Sequence, residues 1–218
     1  MSIHTWEWLL LSLSLIFVGV YEVWVARLRR HAPERISRSA HALLRQEWVR
    51  ASMSKEGTDL VTVQTLRNSM MSSSIVASTA ALALMGLLTL TGNLLGSRLL
   101  GGINLLDSRS FNIKEAILLL MIVALFYAFV CSAVSVRYYN HVGYMMTMPF
   151  YSPLRMQWVE PACVYVSHAG QLYGKSLRML LVLGPLLIGL ITPVVLLPGA
   201  LLLIATLRWF DRVAVGRG

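Results

Sequence analysis

Apolar residues run through this sequence in four long blocks separated by polar and basic stretches. The blocks cover residues 6–25, 70–90, 116–136 and 179–205. Each is long enough to cross a membrane, because about 20 helical residues at a rise of 1.5 Å span a hydrocarbon core of about 30 Å. The first block holds Glu7 and Glu22 near its ends, and the other three carry no charge. The last contains Pro185, Pro193 and Pro198, which predicts a kinked helix whose freed carbonyls are satisfied by neighbours or water. The pattern predicts an all-α, polytopic membrane protein: a single integral domain over 1–218, with four transmembrane helices and a cytoplasmic helical hairpin extension.

The stretches between the blocks have patterns of their own. The first span continues as helix to about Ala32, where Pro33 stops it. A second helix is expected from about Arg38 to Ser54, capped by Ser37 and ended by Gly57. It sets Leu43, Leu44 and Trp48 among Arg38, Arg45 and Arg50, which suits an amphipathic helix lying on the membrane surface. From Asp59 the apolar pattern resumes with Leu60, Val63 and Leu66 and enters the second block without a breaker. Residues 91–115 are rich in Gly and Leu, which fits an interfacial or partner-covered segment, with a pore-lining re-entrant loop as the alternative. Tyr138, Tyr139, Tyr144, Phe150 and Tyr151 follow the third block, as aromatic rings do at a membrane interface. No internal repeat is visible, so an inverted-repeat transporter is not supported.

Composition narrows the class. Of 218 residues, 56% are apolar and 13% charged, too few polar groups to coat a soluble domain. Cys131 and Cys163 are the only cysteines, which removes a disulfide scaffold. The first block is preceded by no Lys or Arg and followed by no small-x-small cleavage site, so it reads as an uncleaved span rather than a signal peptide. The net charge of +9 is distributed unevenly, with nine basic residues in 26–69, four in 137–178, three in 91–115 and three in the tail. Basic loops stay on the cytoplasmic side. Four spans then place both termini outside the cytoplasm, in a multi-pass protein of the inner (cytoplasmic) membrane. The partners that follow are the lipid bilayer, anionic lipid at the basic loop, and other membrane subunits or further copies of the chain. Basic and aromatic residues do not interleave on a soluble domain, so nucleic acid is not expected.

Candidate chemistry is sparse. Charge inside a membrane is costly, and such residues pair or face water. Glu22 and Arg67 lie at similar depth in the first two spans, which predicts either a clamp between them or, for Glu22, a proton- or cation-binding carboxylate facing a pore. Gln64, Arg67, Asn68, Ser74 and Ser78 give the cytoplasmic half of the second span a polar character. Ser74 and Ser78, four residues apart, suit close helix packing, and the same residues could line a polar pore around an oligomer axis. Met145, Met146, Met148, Met156, His141, Cys163 and His168 are soft ligands of the kind Cu(I) takes, although their spacing is not diagnostic and Met also fills apolar gaps. The run from Gly170 to Lys175-Ser176 has three residues between its glycines where a phosphate loop needs four. With no nucleophile elbow, HExxH or kinase signature, no enzyme and no cofactor are expected.

One stretch carries a resemblance. Val63-Gln64-Thr65-Leu66-Arg67-Asn68-Ser69-Met70-Met71, followed by Ser78-Thr79-Ala80-Ala81-Leu82, resembles the domain of unknown function 599 family of small polytopic membrane proteins of bacteria and plants. Arg137-Tyr138-Tyr139-Asn140-His141 is similar to that family's third-helix exit, and Tyr173 to Pro185 to its C-terminal helix. The resemblance implies the fold and brings no activity. Two functions fit the sequence: a non-catalytic accessory or assembly subunit in a larger membrane complex, or a homo-oligomeric channel or transporter with its second span lining the pore.

Overall fold

Leu- and Ala-rich runs with few breakers give a chain built almost entirely of helix. The computed structural model describes residues 3–31, 37–99 and 112–211. Its helices are α1 (Ile3–His31), α2 (Ser37–Ser54), α3 (Asp59–Leu99), α4 (Ile113–Met146), α5 (Val159–Ile191) and α6 (Leu196–Asp211), with short 3-10 turns at Arg155–Trp158 and Pro193–Val195. Among the described residues there is no strand. Gly57 takes φ +77° between α2 and α3, a conformation open to Gly because it lacks Cβ. Thr58 Oγ1 then donates back to the Ser52 carbonyl at 2.8 Å, closing the turn onto the end of α2. At the start of α4, the Glu115 carboxylate accepts from the Asn112 backbone N–H at 3.2 Å, as a capping box requires.

The polytopic expectation holds, but among the described residues the helices long and apolar enough to cross a membrane number five: Thr5–Leu28, Asp59–Gly92, Ile113–Met146, Arg155–Ile191 and Pro193–Asp211. The expected last span, 179–205, is a helical hairpin rather than one kinked helix. Thr192 is extended (φ −136°, ψ 97°) and Pro193 opens the turn. A residue preceding proline is pushed out of the helical region, and proline has no N–H to continue the ladder. Gly189 lets the hairpin close, since a Cβ there would lie 2.2 Å from Leu196 Cδ2. Pro185 remains inside α5.

The extra helix changes the path of the chain. Leu11 packs with Leu186 and Leu196, while Tyr21 and Val25 pack with Leu203 and Leu207. Helices α1 and α6 therefore run in the same direction, and Ile3 and Asp211 fall at opposite ends of the bundle. The four-span expectation had put both termini on one side.

At 1.5 Å per residue, α3 is roughly 60 Å long and α4 and α5 roughly 50 Å, against about 30 Å of hydrocarbon. Most of the excess lies at the end that carries α2, although α3 also runs past residue 90 at the other end. There α2 and the overhanging parts of α3, α4 and α5 surround a core of their own, including Val49, Met53, Leu66, Val142, Met146, Cys163 and Val166. This extension is called the platform below. Helix α2 stands upright in it, antiparallel to α5: Cys163 Sγ lies 3.5 Å from the Gln46 carbonyl, and Arg50 meets Glu160 at 3.2 Å. The surface-lying amphipathic helix expected from the sequence is thus corrected, because Val49 and Met53 bury their apolar face against protein. Residues 100–111, the middle of the proposed interfacial or re-entrant loop, lie outside the described residues; α3 itself continues to Leu99.

Candidate functional site

Three hydroxyl and carbonyl groups fix the relative depth of the long helices. Ser135 of α4 donates to the Ala169 carbonyl of α5 at 2.8 Å, and the hydroxyls of Ser73 and Ser135 are 3.2 Å apart. Helices α4 and α5 are antiparallel, so residues 170–178 of α5 run alongside the uncharged stretch 116–136 of α4. Arg178, nine residues beyond Ala169, lies roughly 14 Å along that stretch.

An ion cluster sits at this depth. Arg178 Nη1 donates to Glu22 Oε1 at 2.9 Å, and its Nη2 to Asp211 Oδ1 at 2.5 Å. The Tyr21 hydroxyl donates to Asp211 Oδ2 at 3.0 Å. The Arg178 and Asp211 side chains are only 13% and 12% exposed, so each partner offsets the desolvation of the other. The cluster ties α1, α5 and α6 together. Sequence reasoning expected Glu22 to clamp Arg67; the partner is Arg178, because α1 packs on α6 and the hairpin brings α5 and α6 to its polar end.

Beside the cluster, a groove of about 320 Å³ opens between α2 and α5, with the end of α6 as its floor. Its walls carry His41, Arg45 and Lys175, together with Gln171 and Tyr173. Arg45 lies across Gly170, where an added Cβ would come within 2.4 Å of its guanidinium carbon. The buried Arg45 Nε meets no acceptor among the described residues. Burial therefore lowers the pKa of this guanidinium, opposed in part by Tyr139. Arg50, five residues on, shows the opposite case: the hydrogen bonds it donates to Glu160 and Glu47 raise its pKa.

A second groove of about 330 Å³ lies on the platform between α3 and α4. Val63, Leu66, Met70 and Tyr139 form its apolar walls, and Arg67 and Asn140 its polar rim. The sequence-derived candidates separate along α3. Gln64, Arg67, Asn68 and Ser78 are exposed and Ser74 is half-buried. The stripe that packs on α4 is instead Leu66, Ser73, Val76 and Ala80. Gln64, Arg67 and Asn68 lie beyond Ser73 on the platform side, away from the uncharged block. The Met group also divides, with Met145 and Met146 in the platform core and Met156 exposed.

Residues 9–215 match the family described as a protein of unknown function, DUF599. The chain belongs to the DUF599 family. No curated protein and no solved structure matches it. In this DUF599 protein two of the stretches that resemble the family, around Val63 to Met71 and Arg137 to His141, face each other across the platform groove.

Two residues of this DUF599 chain escaped the sequence reading. Arg155 is 2% exposed, and its three nitrogens donate to the Met53 carbonyl, the Met148 carbonyl and Asp59 at 3.2, 2.5 and 3.2 Å. It joins the α2–α3 turn to the α4–α5 connection. Asp211, the third member of the ion cluster, was hidden because only the hairpin brings it back to Tyr21. An acidic residue closing an apolar helix was its one available signal.

Proposed function

We propose that the chain is a non-catalytic accessory subunit of a larger complex in the inner (cytoplasmic) membrane, with the platform as its docking surface. The platform groove carries this reading. Apolar surface is ordinary where a helix faces lipid, but on a part that overhangs the bilayer it marks a contact surface. Tyr144 (73% exposed) lines the groove, and Leu60 (83% exposed), three residues before Val63 on α3, adds apolar surface next to it. The occupant that fits is an amphipathic helix of a partner subunit, its apolar side against Val63, Leu66 and Met70 and a carboxylate against Arg67.

The orientation belongs to the same proposal. With five crossings, the sequence segments 26–69, 137–178 and 206–218 on one side carry sixteen of the nineteen Lys and Arg residues, and 91–115 carries the other three. The positive-inside rule then puts the platform and C-terminus in the cytoplasm and the N-terminus outside. The basic end also faces the anionic lipid of that leaflet. The oligomeric channel has less support, since only Ser74 and Ser78 of its lining candidates fall within the uncharged block of α3.

Native mass spectrometry of protein gently extracted from its own membrane tests the reading. Stoichiometric foreign subunits are expected. A homo-oligomer of defined number favours the channel, and a lone chain with lipid contradicts both.

A further inference from the structure

The basic groove between α2 and α5 has a charge balance that packing does not explain. Arg178 at its floor is fully committed to Glu22 and Asp211, and among the described residues Asp211 is the only carboxylate in the lining. Among the described residues, no hydrogen bond or ion pair reaches Arg45, Lys175 or His41. Burying a cation without a counter-charge is costly, and the fold nevertheless seats Arg45 against a glycine that admits its guanidinium. Gln171 and Tyr173 add neutral donors on the same wall.

We propose that this groove binds a phosphate-bearing anion, with Arg45 and Lys175 as its principal ligands. A guanidinium grips phosphate oxygens through two N–H groups, and an ammonium adds a movable point charge. The depth of the site suits the phosphate of an anionic phospholipid, because Arg45 lies against Gly170, next to the Ala169 carbonyl that meets Ser135 at the end of the uncharged stretch of α4. Phe210 and Leu177 line the groove with apolar surface that acyl chains can cover, and Leu43 and Leu44 are exposed on α2 beside it. A free phosphate ester entering from the platform side would use the same donors. The inference rests on the lipid-contact part of the reading above and not on its assembly part.

The test uses the full chain in phosphatidylcholine nanodiscs at constant ionic strength. One arm titrates phosphatidylglycerol into the discs, and the other adds glycerol 3-phosphate to the solution, with the thermal midpoint as readout. A saturable rise is expected. In Arg45→Gln and Lys175→Gln the half-saturating amount should increase about tenfold, as loss of a charge-assisted hydrogen bond implies. Arg137→Gln, an exposed basic residue outside the groove, should leave it unchanged. A rise with lipid alone names a headgroup, and a rise with the soluble ester names a free phosphate. No saturable rise in either arm overturns the proposal, as does an equal loss in Arg137→Gln, which would mean diffuse attraction. Lys175 is exposed, so its variant keeps the test decisive if Arg45→Gln fails to fold. Neither arm needs a protein partner, so failure here leaves the assembly reading standing, and the reverse also holds.

Discussion

Arg155 and Arg45 are both drawn into the protein from solvent, and their surroundings are opposite. Arg155 gives each of its three nitrogens an acceptor and sits 5.4 Å from the Phe150 ring. Arg45 has a buried Nε with no acceptor, in a groove that collects further unpaired positive charge. A satisfied buried arginine holds elements in register, whereas an unsatisfied one destabilises the fold unless something else supplies the negative charge. The first therefore reads as structure and the second as a binding group.

The largest effect should come from the cluster that floors the groove. Arg178→Met leaves two carboxylates without their cation and should cost roughly 3–5 kcal/mol, a fall in thermal midpoint of about 10 °C or more. Arg155→Met should follow at about 3 kcal/mol, from hydrogen bonds to one carboxylate and two carbonyls, measured the same way. Ser135→Ala, which removes the hydroxyl that bonds to Ala169, should cost about 1 kcal/mol. Arg45→Met should be nearly neutral in phosphatidylcholine, within about 1 kcal/mol of wild type, because it removes an uncompensated buried charge. If Arg45→Met destabilised the protein as much as Arg155→Met, Arg45 would be structural and the contrast would fail.

Much of the fold was legible, and the limits have physical causes. The break at Gly57 and the unbroken run from Asp59 into the second block depend on local rules, and α2 and α3 follow them, while the stop expected at Pro33 lies outside the described residues. The hairpin at Thr192 did not emerge because an apolar run with three prolines looks alike whether it kinks or reverses. The reversal depends on Gly189 meeting Leu196, a contact between helices. The same hairpin decides the partner of Glu22, so one missed turn carried the Glu22–Arg67 error with it. The basic groove was illegible for a further reason: Arg45 on α2 and Lys175 on α5 are far apart in sequence, and their shared wall depends on α2 standing upright. Arg67 was expected at the membrane entry of the second span, but α3 is far longer than a span, which moves Arg67 to the platform.

The platform groove admits one direct test of the assembly claim. Gly143 lines it, and a Cβ added there meets no atom within 4 Å, so Gly143→Leu should fill the groove while the chain keeps its fold and thermal midpoint. Native mass spectrometry of wild type and Gly143→Leu, each extracted from the host membrane, compares them directly. The account predicts stoichiometric partner subunits on the wild type and their loss from the variant. An identical assembly on both, or none on the wild type, would contradict it.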